Sequence, residues 1–148
     1  MRTRTLAREA ALQYLYEVDA VGVENAEPIA SFLERQLGRT EAWEYATSLI
    51  AGSLEKLEEI DKVLAGCAEN WTLDRMAVVD RNVLRLGTYE LLFGGSVPHK
   101  VAINEAINLS RRFSTEESGA FVNGVLDKIR ELAPDDSGRT HADGDQDA

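Results

Sequence analysis

The sequence predicts an all-α protein, and three observations carry that prediction. In several segments apolar residues recur every three to four positions, which is the spacing of one face of an amphipathic helix. No segment shows the sustained alternation of apolar and polar residues expected of a half-buried strand. The chain has 148 residues, 44% hydrophobic and 28% charged, which is typical of one globular domain with its own core. We therefore expect about seven helices.

The apolar pattern places the first helices along the chain in order. One helix is predicted over residues 5–21, and a short one over residues 27–37 has Pro28 near its first turn, where proline is tolerated. Thr40 is predicted to be the N-cap of a longer apolar segment that follows it. That segment is expected to break or kink near residues 58–61.

Three more helices are predicted in the second half of the chain. A short turn around Leu73–Met76 leads into a helix that stops at Gly94-Gly95, because two glycines end a helix readily. Apolar residues mark the next helix over residues 102–113. Ser114 followed by Glu117 resembles a capping box at the start of the last helix.

The dipeptide Asn123-Gly124 poses a question, because Asn-Gly between apolar residues is typical of a β-hairpin. Phe121, Val125 and Ile129, however, recur at helical spacing through it, and no other strand is predicted for it to pair with. We therefore predict a helix, in which Gly124 costs about 1 kcal/mol relative to alanine. Two explanations for the glycine stay open: close approach of a neighbouring helix, or exposure of the backbone and Asn123 to a ligand.

Charge is unevenly distributed along the chain. The formal net charge is −10, and residues 134–148 contain five aspartates and no apolar residue larger than alanine. Such a segment cannot form a core, so residues 1–133 are predicted to be the folded domain and residues 134–148 an acidic disordered tail. The first eight residues form a small basic arm without an acid. A basic protein partner would favour the body, and a nucleic acid the arm.

The sequence contains no recognisable catalytic or metal-binding motif. It has no phosphate loop, no glycine-rich dinucleotide turn and no HExxH. Cys67 is its one cysteine, which excludes an internal disulfide and a CxxC metal site, and two histidines do not suggest a ligand cluster. With no run of about 18 apolar residues and no signal-like start, a cytoplasmic location is predicted. We expect neither enzymatic activity nor a cofactor or metal ion.

Three polar groups are candidates for binding. The first is the arm with Arg2, Arg4 and Arg8, whose helix N-terminus also offers backbone donors to phosphate. Alternatively, three arginines near a terminus have no role. The second is "NLSRRF", in which Arg111 and Arg112 precede Phe113 and suit single-stranded nucleic acid through phosphate contacts and stacking. A core phenylalanine next to two solvated arginines is the alternative.

The third candidate is the polar face of the helix after residue 76. Arg81, Arg85 and either Thr88 or Tyr89 follow one another at about one helical turn, with Asp74, Arg75 and Asp80 nearby. Mixed charge around a tyrosine is compatible with a protein interface. A salt-bridged solvent face is the alternative for this pattern.

Four segments together resemble the NusB family of bacterial transcription antitermination factors: "AREAALQYLYE", "WTLDRMAVVDRNVLRLGTYELLF", "VPHKVAINEAINLSRRF" and "STEESGAFVNGVLDKI". The resemblance extends from about residue 4 to residue 132. It implies two small helical subdomains packed together and a non-catalytic adaptor. The adaptor pairs with NusE, a small-subunit ribosomal protein, and binds boxA of nascent RNA. The complex acts on RNA polymerase, notably in ribosomal RNA operons.

The resemblance and the basic arm together give two sets of site residues. The predicted RNA-binding residues are Arg2, Arg4, Arg8, Lys100, Arg111, Phe113, Glu117 and Asn123. The residues predicted to face NusE are Asp74, Asp80, Arg85 and Tyr89. A carboxylate at Glu117 repels phosphate, so it is expected either to cap its helix or to accept a hydrogen bond from a base edge.

Two other functions remain open at this point. The first is the NusB-like domain that is fused to RNA cytosine methyltransferases, which predicts a cofactor-binding α/β domain after residue 133. The second is a protein-only adaptor that has lost RNA binding. It is suggested by Thr5, Leu6 and Ala120, which stand where relatives can have basic residues. Salt dependence of RNA binding distinguishes an RNA-binding adaptor from it, because phosphate contacts give a steep slope.

Overall fold

The computed structural model describes residues 3–139, and helices form its framework. The described range contains seven α-helices and no strand: α1 Thr3–Val21, α2 Ile29–Gln36, α3 Ala42–Glu55, α4 Leu57–Cys67, α5 Val78–Tyr89, α6 His99–Phe113 and α7 Glu116–Arg130. Short 3₁₀ turns lie at Val23–Asn25 and Leu73–Arg75, and a π-helical turn over Glu90–Gly94 extends α5. The predicted all-α class is confirmed, and Asn123-Gly124 lies inside α7.

The helices form two groups joined by α5. Helix α1 packs against α2 and α3, while α6 and α7 pack against each other, and α4 contacts α7. Helix α5 contacts members of both groups, so one continuous apolar core runs through the molecule. Leu84 and Leu86 of α5 are almost completely buried, as are Leu49 of α3 and Leu126 of α7. None of the helices within residues 3–139 has the length and apolar character to cross a bilayer.

Two predicted helix boundaries in the first half of the chain are shifted. Glu41, not Thr40, is the N-cap of α3, and the Thr40 carbonyl oxygen accepts a hydrogen bond from the Trp43 amide at 3.1 Å. The predicted break near residues 58–61 lies at Lys56 instead, where the backbone leaves helical geometry for one residue. Apolar periodicity continues through both α3 and α4, so it carries no signal for the position of the break.

The start of α7 also differs from the prediction. Thr115, not Ser114, is the N-cap, and its Oγ1 accepts a hydrogen bond from the Ser118 amide at 3.2 Å. Thr115 has the extended backbone that an N-cap requires. Because the cap is one residue later, Glu117 occupies the second helical position rather than the third position of a capping box. Its carboxylate still lies in the first turn, where its negative charge interacts favourably with the positive end of the helix dipole.

Residues 134–139, the described part of the predicted disordered tail, lie against the body. The Asp136 carboxylate accepts a hydrogen bond from the backbone amide of His99 at 2.5 Å, at the N-terminus of α6. Arg139 donates to three carbonyl oxygens around the end of α5, those of Glu90, Leu91 and Val97. An acid at a helix N-terminus and a cation that donates to carbonyl oxygens near a helix C-terminus hold this segment without apolar burial. The remainder of the predicted tail is outside the described residues.

Candidate nucleic-acid interface

Arg8 joins three helices inside the molecule. It is 1% exposed, and its Nε and Nη2 atoms each lie 2.8 Å from a carboxylate oxygen of Glu90. Its Nη1 atom lies 3.1 Å from Glu105 on α6, and the Tyr45 hydroxyl donates a hydrogen bond to Glu90. Burial and the negative charge of Glu90 raise the pKa of Tyr45, which therefore stays a neutral donor.

The basic arm consequently differs from the expectation of three solvated arginines. Arg8 is neutralised by two carboxylates and presents no cation to the surface. Arg4 is half-buried, with its guanidinium carbon 4.4 Å from the centre of the Tyr45 ring. Arg2 lies outside the described residues. The shared basic face that spacing suggests for Arg4 and Arg8 is therefore a packed edge between α1 and α3.

The residues predicted to face a protein partner are also largely internal. Arg85 forms two hydrogen bonds of 2.9 Å with the Asp61 carboxylate of α4, and its Nη1 atom lies 3.2 Å from Asp19 of α1. Burial alone would raise the pKa of Asp19. The hydrogen bonds from Arg81 and Asn82, with the charges of both arginines, outweigh burial and lower that pKa. This cluster connects α1, α4 and α5.

Asp80 and Tyr89 likewise make internal contacts. Asp80 is buried, and one of its carboxylate oxygens lies 3.1 Å from the Ser118 hydroxyl on α7. The half-buried Tyr89 ring lies over Gly52, where an added Cβ would be 2.3 Å from the ring. Of the four predicted residues, Asp74 alone is well exposed, and a hydrogen bond from a neighbouring hydroxyl lowers its pKa.

The surroundings of Gly124 in α7 distinguish the two explanations given for this glycine. Nothing lies within 4 Å of a Cβ built on Gly124, so the explanation by close approach of a neighbouring helix is wrong at this position. Close approach occurs at Gly119 instead, where an added Cβ would be 2.7 Å from Arg111 Nε. Asn123 is exposed, and its side chain forms no hydrogen bond with any residue in the range 3–139. The outer face of α7 is therefore open around Asn123-Gly124.

A groove between α1 and the end of α6 exposes two aromatic rings. Tyr16 is 49% exposed and Phe113 is 39% exposed, and both rings line it. The rest of its lining comes from Glu9, Leu12, Gln13 and Val79. Arg112 pairs with Glu9 at its margin, with the guanidinium carbon 5.1 Å from the centre of the Phe113 ring. Two rings and a cation are thus presented together.

Tyr16 was not among the residues predicted from the sequence, although a signal was present. The buried stripe of α1 contains Ala7, Ala11 and Tyr14, and Tyr16 lies two positions after Tyr14, on the opposite side of the helix. Gln13, three positions earlier, is also exposed. A large ring on the polar face of an amphipathic helix has few core partners, so its position alone indicated a surface role.

The remaining predicted RNA-binding residues divide between two ends of α6. Arg111 and Phe113 lie at its C-terminal end, close to the exposed Glu117 in the first turn of α7. Lys100 is exposed in the first turn of α6, about 20 Å from Phe113 along the helix. Lys100 therefore does not belong to the same surface as the Tyr16–Phe113 groove.

Comparisons with known proteins identify the family of this chain. The sequence profile of the NusB family matches residues 5–131. Curated relatives named transcription antitermination protein NusB include one from Anaeromyxobacter sp., 48% identical over 140 residues, covering 93% of this chain and 96% of the relative. Another, from Sorangium cellulosum, is 46% identical over 131 residues, covering 88% of this chain and 94% of the relative.

Solved structures show the same fold. NusB from T. maritima superposes with a TM-score of 0.78 at 42% identity, covering 90% of this chain and 96% of that chain. A chain from a crystal structure of antitermination factors NusB and NusE in complex with dsRNA superposes with a TM-score of 0.75 at 32% identity. That match covers 89% of this chain and 98% of that chain. Because the family profile and these relatives match nearly the whole described chain, the chain belongs to the NusB family.

Proposed function

We propose that this chain is a non-catalytic, RNA-binding adaptor of transcription antitermination. The observation that carries the proposal is the groove in which Tyr16 and Phe113 are exposed beside Arg112. Exposed rings stack with unpaired bases, and a neighbouring cation contacts phosphate, which is how single-stranded RNA is bound without a deep pocket. The names of the relatives support a role in antitermination, and the related complex of NusB and NusE with dsRNA supports RNA binding.

The proposed protein partner is NusE, a basic small-subunit ribosomal protein. This chain has a formal net charge of −10, and the exposed acids near α4 and the following turn include Glu58, Glu59 and Asp74. Opposite charge accelerates and orients such an encounter. The proposed RNA is the boxA element of nascent transcripts, notably those of ribosomal RNA operons, presented to RNA polymerase by the complex.

The residues predicted to contact RNA differ in their exposure. Arg111, Phe113, Glu117 and Asn123 are exposed on α6 and α7, so the prediction that they approach RNA is retained. Arg2, Arg4 and Lys100 remain predictions, and Lys100 lies apart from the Tyr16–Phe113 groove. We assign Arg8 to holding α1 in place, because its guanidinium is already bound to two carboxylates.

Fluorescence anisotropy of a labelled boxA-like RNA tests the function. We expect binding that strengthens when NusE is added and weakens steeply between two salt concentrations, since phosphate contacts release counterions. A duplex of the same sequence should bind more weakly, because its bases are not free to stack on Tyr16 and Phe113. Failure to bind the single strand with or without NusE would contradict the RNA-binding proposal.

A protein-only adaptor is the second candidate, and one observation favours it. The ion pairs of Arg8, Arg81 and Arg85 are all internal, which leaves fewer surface cations for phosphate than the sequence suggests. In that case the same titration would show NusE binding without any RNA binding. The two candidates therefore predict opposite results in one experiment.

A further inference from the structure

Trp71 is the most exposed aromatic ring of the described chain that no function above uses. Its side chain is 50% exposed in the turn between α4 and α5, although burying a tryptophan ring is strongly favourable. The turn is held by a hydrogen bond of 3.2 Å from the Trp71 amide to the Ala68 carbonyl oxygen. The ring is therefore held at the surface by a defined backbone rather than by an unstructured loop.

Two shallow grooves meet at Trp71. One is lined by Trp71, Arg75, Met76, Thr115, Glu117 and Phe121. The other lies along α7, past the open surface at Gly124 to Lys128, and Trp71 and Phe121 line it as well. Because nothing lies near Gly124, a flat ligand can approach the backbone of α7 there. Trp71 is the shared wall of both grooves.

The Trp71 surface continues the Tyr16–Phe113 groove. Val79 lines the Tyr16–Phe113 groove, and Met76, three residues earlier, lines the groove at Trp71. On the opposite side, Phe113 lines the Tyr16–Phe113 groove, and Thr115, two residues later, lines the groove at Trp71. The two surfaces are thus neighbours that share the same pair of bounding segments. A strand that leaves Phe113 along this surface reaches the Trp71 ring next.

The charges around Trp71 suit a nucleic-acid strand more than an apolar peptide. Arg75 lies in the same groove and is exposed, and its charge also acts on the neighbouring Asp74 carboxylate. Lys128 lies at the far end, where it pairs with the exposed Glu69 at 2.9 Å. An exposed ring with a cation beside it is the combination that binds a base and its phosphate. Glu117 is the opposing charge within the groove.

We propose that Trp71 stacks on an unpaired base and extends the RNA path of this chain beyond the Tyr16–Phe113 groove, with Arg75 contacting the adjacent phosphate. The inference rests on the proposed RNA-binding function and deepens it. It places Trp71 and Arg75 on the path of the same strand of RNA, while Asp74, in the same turn, remains a predicted NusE contact. It also predicts that a short RNA fills the Tyr16–Phe113 groove without reaching Trp71.

Intrinsic fluorescence isolates this ring. The chain has two tryptophans, so a Trp43→Phe variant leaves Trp71 as the only one, and Trp71→Phe leaves Trp43 as the matched control. Both variants are titrated with oligouridines of about 4 to about 16 nucleotides. We expect long oligomers to quench Trp71, short ones to bind without quenching it, and Trp43 to be unaffected at every length.

Affinity provides a second measurement. Trp71→Ala should weaken binding of the longest oligomer roughly 5- to 100-fold and leave the shortest unchanged, while Trp71→Phe keeps most of the affinity. Quenching that is absent at every length while anisotropy reports binding would overturn the inference and leave the proposed function intact. Quenching by NusE but not by RNA would also overturn it, in favour of a protein contact. Absence of all RNA binding would refute both proposals.

Discussion

Arg8 and Tyr16 lie about two turns apart on α1 and behave in opposite ways. The arginine is buried and bound to two carboxylates, whereas the aromatic ring is half exposed in a groove. A buried charge is tolerated only where its hydrogen bonds are satisfied, which Glu90 and Glu105 provide. In this helix the charged residue therefore holds the structure together, and the ring is available for binding.

The same division holds elsewhere in the molecule. Asp19, Asp61, Arg81 and Arg85 form an internal cluster between helices, while Trp71 and Phe113 are exposed. Charged residues of an α-helical bundle can connect helices when their partners lie on neighbouring helices. For this chain, exposed rings are consequently better indicators of the RNA surface than the number of arginines.

Breaking the Arg8 ion pair should have the largest effect. Arg8→Met leaves the Glu90 carboxylate buried without its bidentate partner, so we expect the free energy of unfolding to fall by about 3–5 kcal/mol. Chemical denaturation monitored by circular dichroism measures it. A double variant, Arg8→Met with Glu90→Gln, removes both charges and should recover part of the loss. Unchanged stability together with lost RNA binding would instead identify Arg8 as an RNA contact.

Removing the Asp19 carboxylate should come next. Asp19→Asn weakens the hydrogen bonds to Arg81 and leaves the nearby Arg85 charge less compensated, at a cost of about 1.5–3 kcal/mol near neutral pH. The pKa of Asp19 is lowered in the folded state, so its stabilisation is fully present above the unfolded value of about 3.9. It is lost as the pH falls through the folded value.

The pH dependence of the stability lost in Asp19→Asn tests whether the charge of Asp19 is the cause. The difference in stability between the wild type and Asp19→Asn should be largest near neutral pH and shrink below about pH 4. Denaturation at a series of pH values measures that difference directly. A difference that stays constant down to low pH would mean that packing of Asp19, rather than its charge, stabilises the cluster.

Removing the Tyr16 ring should affect binding more than folding. Tyr16→Ala deletes one stacking platform, and we expect RNA affinity to fall by about 1–3 kcal/mol. The unfolding free energy should change little, since half of the ring is already exposed. Val23→Ala is the matched control, because Val23 is also exposed near the end of α1 but does not line the groove. Equal effects of both variants on RNA binding would contradict the assignment of the groove.

Local pattern was enough to predict the fold but not the interior contacts. Helices α1, α5, α6 and α7 follow from apolar spacing, which is set by residues close in sequence. The partners of Arg8 lie 82 and 97 residues away, so its burial depends on packing that no local pattern contains. Helix starts were displaced by one residue at Thr40 and Ser114: no side chain caps α3 at Glu41, and the Thr115 hydroxyl, next to Ser114, caps α7.

The candidate site was partly predictable for the same reason. Phe113 was identified from its neighbouring arginines, and Tyr16 had a usable signal in its position on the polar face of α1. The internal cluster at Arg85, in contrast, has the same spacing as a solvent-exposed face. Only the position of Asp61 on α4 and Asp19 on α1 distinguishes the two possibilities.

Alanine substitutions at two glycines compare an open helix face with a packed one through the unfolding free energy. Gly124→Ala should raise the unfolding free energy by about 0.4–1 kcal/mol, because the site is open and helical. Gly52→Ala is the matched comparison, and it should lower stability because the new Cβ meets the Tyr89 ring. Thermal denaturation of both variants measures the contrast. Destabilisation by Gly124→Ala would show that the α7 surface is occupied or strained.

Neutralising the exposed Glu117 should have the smallest effect among the substitutions above that are expected to change RNA affinity. Glu117→Gln keeps the shape of the side chain and removes a negative charge beside the proposed RNA path, so affinity should rise by less than about 1 kcal/mol. The rise should disappear at high salt, which screens exposed charges. Titration of Glu117→Gln and the wild type at two salt concentrations measures it, with Glu131→Gln, beyond the end of α7, as the control. Weaker binding would instead show that the carboxylate accepts a hydrogen bond from a base, making Glu117 a residue that selects sequence rather than one that opposes binding.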